Sequence, residues 1–357
     1  MKIAILWTCL SGYLNACLKE LGKQEGVELF ICHEVPVDDA PFDESQFDWM
    51  PNRTTWQNKC SAEVLAQKLH SFEPDIIILS SWHISVYRRV ARKFAGKCWR
   101  IMVMDNPWKG SLKQWFGTLI SPFYVRPIAD AVWLPGERQA AFARKLGFSQ
   151  NQILRGCYSC DHASFAAIHT SRIQRGELLP RKFLFVGRFV PQKSIDVLAE
   201  AYAIYHSSVS NPWPLICCGT GPLRSRLESR QGIVLKGFVQ PEHMPDVFAS
   251  AGCLILTSYF EPWALVVHEA ASAGRLILAS ESVGAVPHLV QPGYNGYIFD
   301  NGDARGLAVF MARIASMTDA HLEQMAAASF SLSQQFTPKQ WSKTLLSFCG
   351  AASFKSI

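Results

Sequence analysis

The sequence predicts an α/β fold made of two doubly wound, Rossmann-like domains. Three observations carry this. Short apolar runs at 2–7, 75–80 and 100–104 alternate with helical segments, the βαβ rhythm of a parallel sheet. The same rhythm restarts at Phe183 after a connecting segment at 164–180. The chain has 357 residues, 49% hydrophobic and 18% charged, which is about two domains' worth with enough apolar mass for two cores.

That composition excludes disorder and also limits partners. A net charge of +6 permits an anionic substrate or membrane surface and does not call for nucleic acid. The eleven cysteines lack the regular short spacing of a secreted scaffold, so reduced thiols in a cytoplasmic protein are expected. Residues 1–7 run straight into a strand pattern without a small-residue cleavage site, so no signal peptide is expected. Apolar runs such as 76–79 are too short to span a bilayer.

In the first half, strands are expected at 2–7, 26–32, 75–80, 100–104, 131–134 and 152–155. Helices fall at 14–21, 62–71, 85–94 and 137–146. The stretch 37–59, rich in Asp, Pro and Asn, reads as irregular. Gly12, in the first strand-to-helix turn, allows backbone to approach a ligand. Asp105 lies just past a strand's C-terminal end, where open α/β sheets bind ligands. The helix after it carries Leu112, Trp115, Phe116, Leu119, Ile120 and Phe123 at helical spacing, a stripe that is either core or lipid-facing. Lys109 and Lys113 adjoin it, and Arg88, Arg89, Arg92 and Lys93 share one face of the preceding helix. Cys157, Cys160 and His162 have metal-like spacing, but no second pair follows, so no metal site is expected.

In the second half, strands are expected at 183–186, 214–218, 234–236, 253–257, 276–279 and 297–299. Helices follow the first two strands, and others fill 304–316, 320–333 and 338–349. The chain is organised around residues 261–269. Glu261 sits in the loop after strand 253–257, and Glu269 sits on the helix that follows, expected to start near Pro262. Acid in a first helical turn is common for dipole reasons alone, so the neighbouring loops decide its meaning. Arg188 and Lys193 supply two cations after the first strand, suited to a diphosphate. Gly219 and Gly221 permit close backbone approach, Phe238 flanks a base pocket, and 284–287 offers backbone N–H groups at another helix start. No Walker lysine motif or GxGxxG pattern is present, which disfavours ATP and NAD.

Gly187-Arg188, Gln192-Lys193, 219–222, 237–239, Glu261-Pro262 with Glu269-Ala270, and 292–296 resemble family 4 of the retaining glycosyltransferases. The match covers most of 181–300 and is weaker in the first half. The resemblance implies GT-B architecture, two Rossmann-like domains facing across a cleft, divided at 1–165 and 166–337 with the helix at 338–350 packing back on the first. It also implies transfer from a nucleoside-diphosphate sugar to a glycan or lipid-linked acceptor, with retention and without a metal or other cofactor. Carried over by position, Arg188 and Lys193 bind the diphosphate, Glu261 holds sugar hydroxyls and Glu269 the ribose. Gly187, Trp263, Ala264 and Leu265 fall in the same donor loops.

Three departures stand out. Trp263-Ala264 replaces a frequent Phe-Gly and is expected to narrow the sugar pocket. His288 replaces a frequent Glu, and Asp105 stands where a His is often found in the first domain. A nucleotide-sugar epimerase of the same fold, excluded by sugar transfer to any acceptor, and a non-catalytic nucleotide-sugar-binding protein are the rival readings. The combination of Arg188, Lys193, Glu261 and Glu269 argues against the second. The apolar stripe and its cations suit reversible docking on an anionic membrane.

Overall fold

The computed structural model describes residues 1–34, 44–50, 52–56 and 61–351. The chain divides into two compact units, residues 1–160 with the C-terminal segment from Pro338, and residues 161–337.

The first unit is built on a seven-stranded parallel sheet ordered β3-β2-β1-β4-β5-β6-β7. Its strands are β1 (Lys2–Trp7), β2 (Glu28–Glu34), β3 (Arg53–Trp56), β4 (Ile76–Leu79), β5 (Trp99–Val103), β6 (Ala131–Leu134) and β7 (Ile153–Arg155). Its helices are α1 (Gly12–Gly22), α2 (Ala62–Phe72), α3 (Ser85–Lys93), α4 (Leu112–Tyr124) and α5 (Glu137–Lys145), with the C-terminal helix Pro338–Ala351. Strand side chains alternate between two cores. Ala4, Leu6, Ile77 and Leu79 pack on one face, while Ile3, Ile5, Ile76 and Ile78 pack on the other. Burial on both faces is why these strands read as unbroken apolar runs. The C-terminal helix completes the second core. Trp341 stacks on Trp133 with ring centroids 4.6 Å apart, and its indole N–H donates to the Cys157 carbonyl at 2.9 Å.

β3 corrects the irregular reading of 37–59, although 37–43, 51 and 57–59 lie outside the described residues. It pairs in parallel with β2, Ile31 opposite Arg53. As the last strand of its sheet it is only part-buried, so it lacks the apolar run that marks an inner strand.

The second unit has a six-stranded parallel sheet ordered β10-β9-β8-β11-β12-β13. Its strands are β8 (Phe183–Val186), β9 (Leu215–Cys218), β10 (Ile233–Gly237), β11 (Cys253–Leu256), β12 (Leu276–Ser280) and β13 (Gly296–Phe299). Its helices are α6 (His162–Gln174), α7 (Ile195–Ser208), α8 (Met244–Ala249), α9 (Leu265–Ser272), α10 (Val286–Leu289), α11 (Ala304–Ala315) and α12 (Asp319–Ser333). The strand order reverses between β8 and β11, which puts the loops after those strands at a topological switch point.

Three expectations are corrected in this unit. Most of the expected connection at 164–180 is helix α6. Its buried face carries His162, His169 and Arg172 beside Phe165, so its apolar periodicity is faint. After β9 the chain makes only a 3-10 turn, Arg224–Arg226, in place of a full helix. Helix α9 starts at Leu265, three residues later than expected. An isolated bridge between Glu261 and Val283 keeps the chain extended there, and Ala264 turns through a left-handed conformation at φ 78° before the helix begins.

Candidate active site

The loop after β8 (187–194) and the loop after β11 (257–264) are stitched together by three hydrogen bonds. Gln192 Nε2 donates to the Phe260 carbonyl at 2.9 Å, Tyr259 N–H to the Gln192 carbonyl at 3.1 Å, and Thr257 Oγ1 to the Lys193 carbonyl at 2.7 Å. This frame brings Lys193 Nζ onto Glu261 Oε1, and Ser258 Oγ donates to the same oxygen at 3.1 Å. The side chains of Lys193 and Glu261 are only 16% and 11% exposed. Lys193 is therefore not an open cation, as a diphosphate-binding role suggests, but one half of a shielded ion pair. Arg188 is the exposed cation of the same loop, and no ion pair engages it among the described residues. Ser258 escaped the sequence reading. Its only signal is that it is a hydroxyl residue two positions past the strand end, three residues before the acid.

Gly219 and Gly221 are required by the fold itself. A Cβ on Gly219 would lie 1.9 Å from the Gly187 carbonyl oxygen, and one on Gly221 would lie 2.5 Å from the Phe189 carbonyl oxygen. The loops after β8 and β9 thus lie backbone to backbone, with Phe189 N–H donating to the Thr220 carbonyl at 2.7 Å. Phe238, just past β10, is 42% exposed.

Glu269 lies on α9, one turn past Leu265, and its carboxyl group makes no hydrogen bond among the described residues. Burial pushes its carboxyl up to about 7. A half-buried carboxylate that lacks protein donors is suited to accept from ligand hydroxyls.

Two expected roles are revised. The backbone N–H groups of Gly284 and Ala285 are already taken by the carbonyls of Glu261 and Trp263, at 3.0 and 2.8 Å. They brace the Glu261 loop and are not open donors, and α10 is a single turn. The Trp263 indole is 2% exposed and packs against His288 and Phe336, ring centroids 5.6 and 5.3 Å away. It supports the loop from behind, which revises the expectation that it narrows an open pocket. His288 belongs to that aromatic cluster.

In the first unit, Asp105 follows β5 as expected. Burial raises its carboxyl above the ordinary range, opposed by Tyr158, whose hydroxyl donates to Asp105 Oδ2 at 3.3 Å. Gln139 Nε2 holds the Asp105 carbonyl at 3.1 Å, and Tyr13 meets Tyr158 edge-on at 5.5 Å. His83, past β4, sits in the same field. Burial lowers its pKa, Lys113 and Arg88 lower it further, and Asp105 acts the other way. Neither Tyr158 nor His83 was singled out from sequence, because no local pattern links them to Asp105. Gly12 opens α1 at the end of β1, on the same sheet edge.

The α4 stripe is surface. Leu112 is 88% exposed, Leu119 73% and Phe123 81%, with Trp115 and Phe116 above half. Lys145 Nζ lies 5.0 Å from the Trp115 ring, and Arg92 donates to the Phe123 carbonyl at 3.1 Å. Among the described residues, no helix is long and apolar enough to cross a membrane and no group of three His, Cys, Asp or Glu is placed to hold a metal. Among the described residues the cysteines, Cys157 and Cys160 included, form no disulfide.

Residues 180–317 match the family profile of glycosyl transferases group 1. A D-inositol 3-phosphate glycosyltransferase of Streptomyces scabiei is 31% identical over 161 residues, 41% of this chain and 36% of that protein. A sulfoquinovosyl transferase of Arabidopsis thaliana is 28% identical over 263 residues, 67% of this chain and 49% of that protein. The chain thus spans about a third to a half of the length of these curated relatives. Among solved structures, Anabaena HepE in complex with UDP is similar at a TM-score of 0.72 and 16% identity, covering 99% of this chain and all of that one. The lipopolysaccharide outer core galactosyltransferase WaaB, in its apo form, is similar at 0.71 and 16% identity, covering 98% and 99%. At such identity these likenesses show the fold, two Rossmann-like domains of the GT-B class.

Proposed function

We propose that this protein is a glycosyltransferase that moves a sugar from a nucleoside-diphosphate sugar, with retention, to a glycan or lipid-linked acceptor in surface-polysaccharide synthesis. The observation that carries this reading is one sheet edge of the second unit. Exposed Arg188, the Lys193–Glu261 pair and the unpartnered Glu269 stand on the loops after β8 and β11 and on the helix that follows. A UDP-sugar is the first donor to test, because similar structures hold UDP and, in HepE, UDP with glucose.

In this reading Glu269 accepts from the ribose and Glu261 from a sugar hydroxyl. Arg188 meets the diphosphate, and Lys193 reaches both the diphosphate and Glu261. As the bond from the anomeric carbon to the diphosphate breaks, negative charge grows on the leaving oxygens and positive charge on the sugar. Preorganised cations offset the first, with about 3–4 kcal/mol lost when one such group is removed. Lys193 is held by Glu261, itself braced by Ser258, before the donor arrives, so little reorganisation remains for the reaction itself. The leaving oxygen takes the acceptor's proton on the same face, so the scheme needs neither a separate base nor a metal. Asp105 with Tyr158 and His83 then serves the acceptor side in the first unit.

The exposed α4 stripe, flanked by Lys109, Lys113 and the α3 cations, fits reversible docking on an anionic membrane and so a lipid-linked acceptor. The deciding experiment is a panel of UDP-, GDP- and ADP-sugars tested for protection against thermal unfolding, followed by transfer assays with the one that protects. If no nucleotide sugar raises the melting temperature, the proposal fails at its first step.

A further inference from the structure

Away from the nucleotide edge, the second unit buries an arginine whose side chain has no hydrogen-bonding partner among the described residues. Arg275 stands between the end of α9 and the start of β12 and is 1% exposed. None of its three guanidinium nitrogens meets an acceptor among the described residues. Two further buried polar atoms close by, His169 Nδ1 and Arg172 Nε, are also unpaired among the described residues. All three residues lie where α6 and α12 cover α9, and each is more than nine-tenths buried.

The local charges do not cancel. Glu323 of α12 is committed to Arg172, with Nη1–Oε1 and Nη2–Oε2 both at 2.6 Å, and it also accepts from the Leu179 N–H at 2.8 Å. Counting Arg172 and Arg275 against Glu323 leaves one buried positive charge uncompensated. Burial lowers the Arg275 pKa to about 9, with Arg172 adding to the effect and Glu323 opposing it. Even so, the guanidinium stays largely cationic at neutral pH. Isolated buried charges are among the most costly features a fold can carry. The C-terminal end of α9 supplies a favourable field, but none of its carbonyls bonds the three nitrogens. Gly274 lets His169 pack close against the end of α9. It is the left-handed residue that ends α9, and a Cβ there would lie 2.2 Å from His169 Nδ1.

We propose that Arg275, Arg172 Nε and His169 form a binding site for a small inorganic anion, an oxyanion such as phosphate or a halide, which joins α6, α9 and α12. The site is separate from the nucleotide edge and does not depend on the proposed activity. Glu323, with a side chain 26% exposed, marks the side open to solvent.

The test is thermal unfolding of the whole protein at constant ionic strength, with gluconate replaced stepwise by phosphate or by chloride. Phosphate also suits the nucleotide edge, so Arg188→Ala is run in parallel. A saturable rise of roughly 5 °C in the parent, kept in Arg188→Ala and lost in Arg275→Met, supports the site. Phosphate alone acting identifies an oxyanion site, and both anions acting identifies a general one. The absence of a saturable rise in the parent overturns the proposal, and so does an unchanged response in Arg275→Met. Should Arg275→Met fail to fold, bromide and arsenate soaks of parent crystals decide by anomalous diffraction. A peak in contact with the Arg275 guanidinium supports the site, and the absence of one for both ions overturns it.

Discussion

The Lys193–Glu261 pair makes a quantitative test possible. The two side chains are 16% and 11% exposed, and Ser258 donates to the shared carboxylate oxygen. At an effective dielectric of about 20, two unit charges in contact attract by about 4 kcal/mol before desolvation. Desolvation of both groups offsets much of this, so a net coupling of about 1–3 kcal/mol is expected. The perturbation is a double-mutant cycle of Lys193→Met, Glu261→Gln and the pair. Each single variant leaves one shielded charge without its partner, whereas the double variant leaves none. Lys193→Met should therefore cost about 2 kcal/mol, and adding Glu261→Gln should recover at least half of that. Urea unfolding of the full chain supplies the assay, read from the transition that UDP shifts, because two units need not melt together. Additive effects within about 0.5 kcal/mol would refute the reasoning, since the pair would then be a surface contact of no consequence.

Three other outcomes are expected. Arg188→Ala should lower sugar transfer about 100-fold or more while leaving the melting temperature unchanged, because Arg188 is exposed and in no ion pair among the described residues; kinetics and calorimetry on one preparation check both halves. Glu269 holds its proton in the folded state up to about 7 against an ordinary 4.5, so its contribution to stability is present below pH 4.5 and lost as pH rises through 7. Unfolding free energies measured from pH 4.5 to 8 should fall by up to about 3 kcal/mol more in the parent than in Glu269→Gln, and parallel curves would contradict the assignment. Trp115→Ala should leave unfolding within about 0.5 kcal/mol of the parent, because α4 is surface, yet release the protein from anionic vesicles in a sedimentation assay. Failure of the parent to sediment with such vesicles at low salt removes the membrane proposal.

The sequence by itself determined the two doubly wound sheets, because strands buried on both faces must be apolar throughout and 76–79 or 253–256 cannot be read otherwise. It also placed Asp105, Arg188, Lys193 and Glu261 past strand ends, since strand order along the chain sets which loops share the ligand edge. Tertiary structure decided what those side chains do to one another. That Lys193 is neutralised by Glu261 depends on two loops 68 residues apart being stitched by Gln192 and Thr257, a contact without local signature. Edge strand β3 and helix α6 were hidden for a related reason. Their apolar patterns are weak, β3 because its strand is only part-buried and α6 because polar His169 and Arg172 lie on its buried face. Whether the α4 stripe was core or surface was likewise undecidable from spacing. Helical periodicity marks an apolar face, but only the packing of the neighbouring elements decides whether anything covers it.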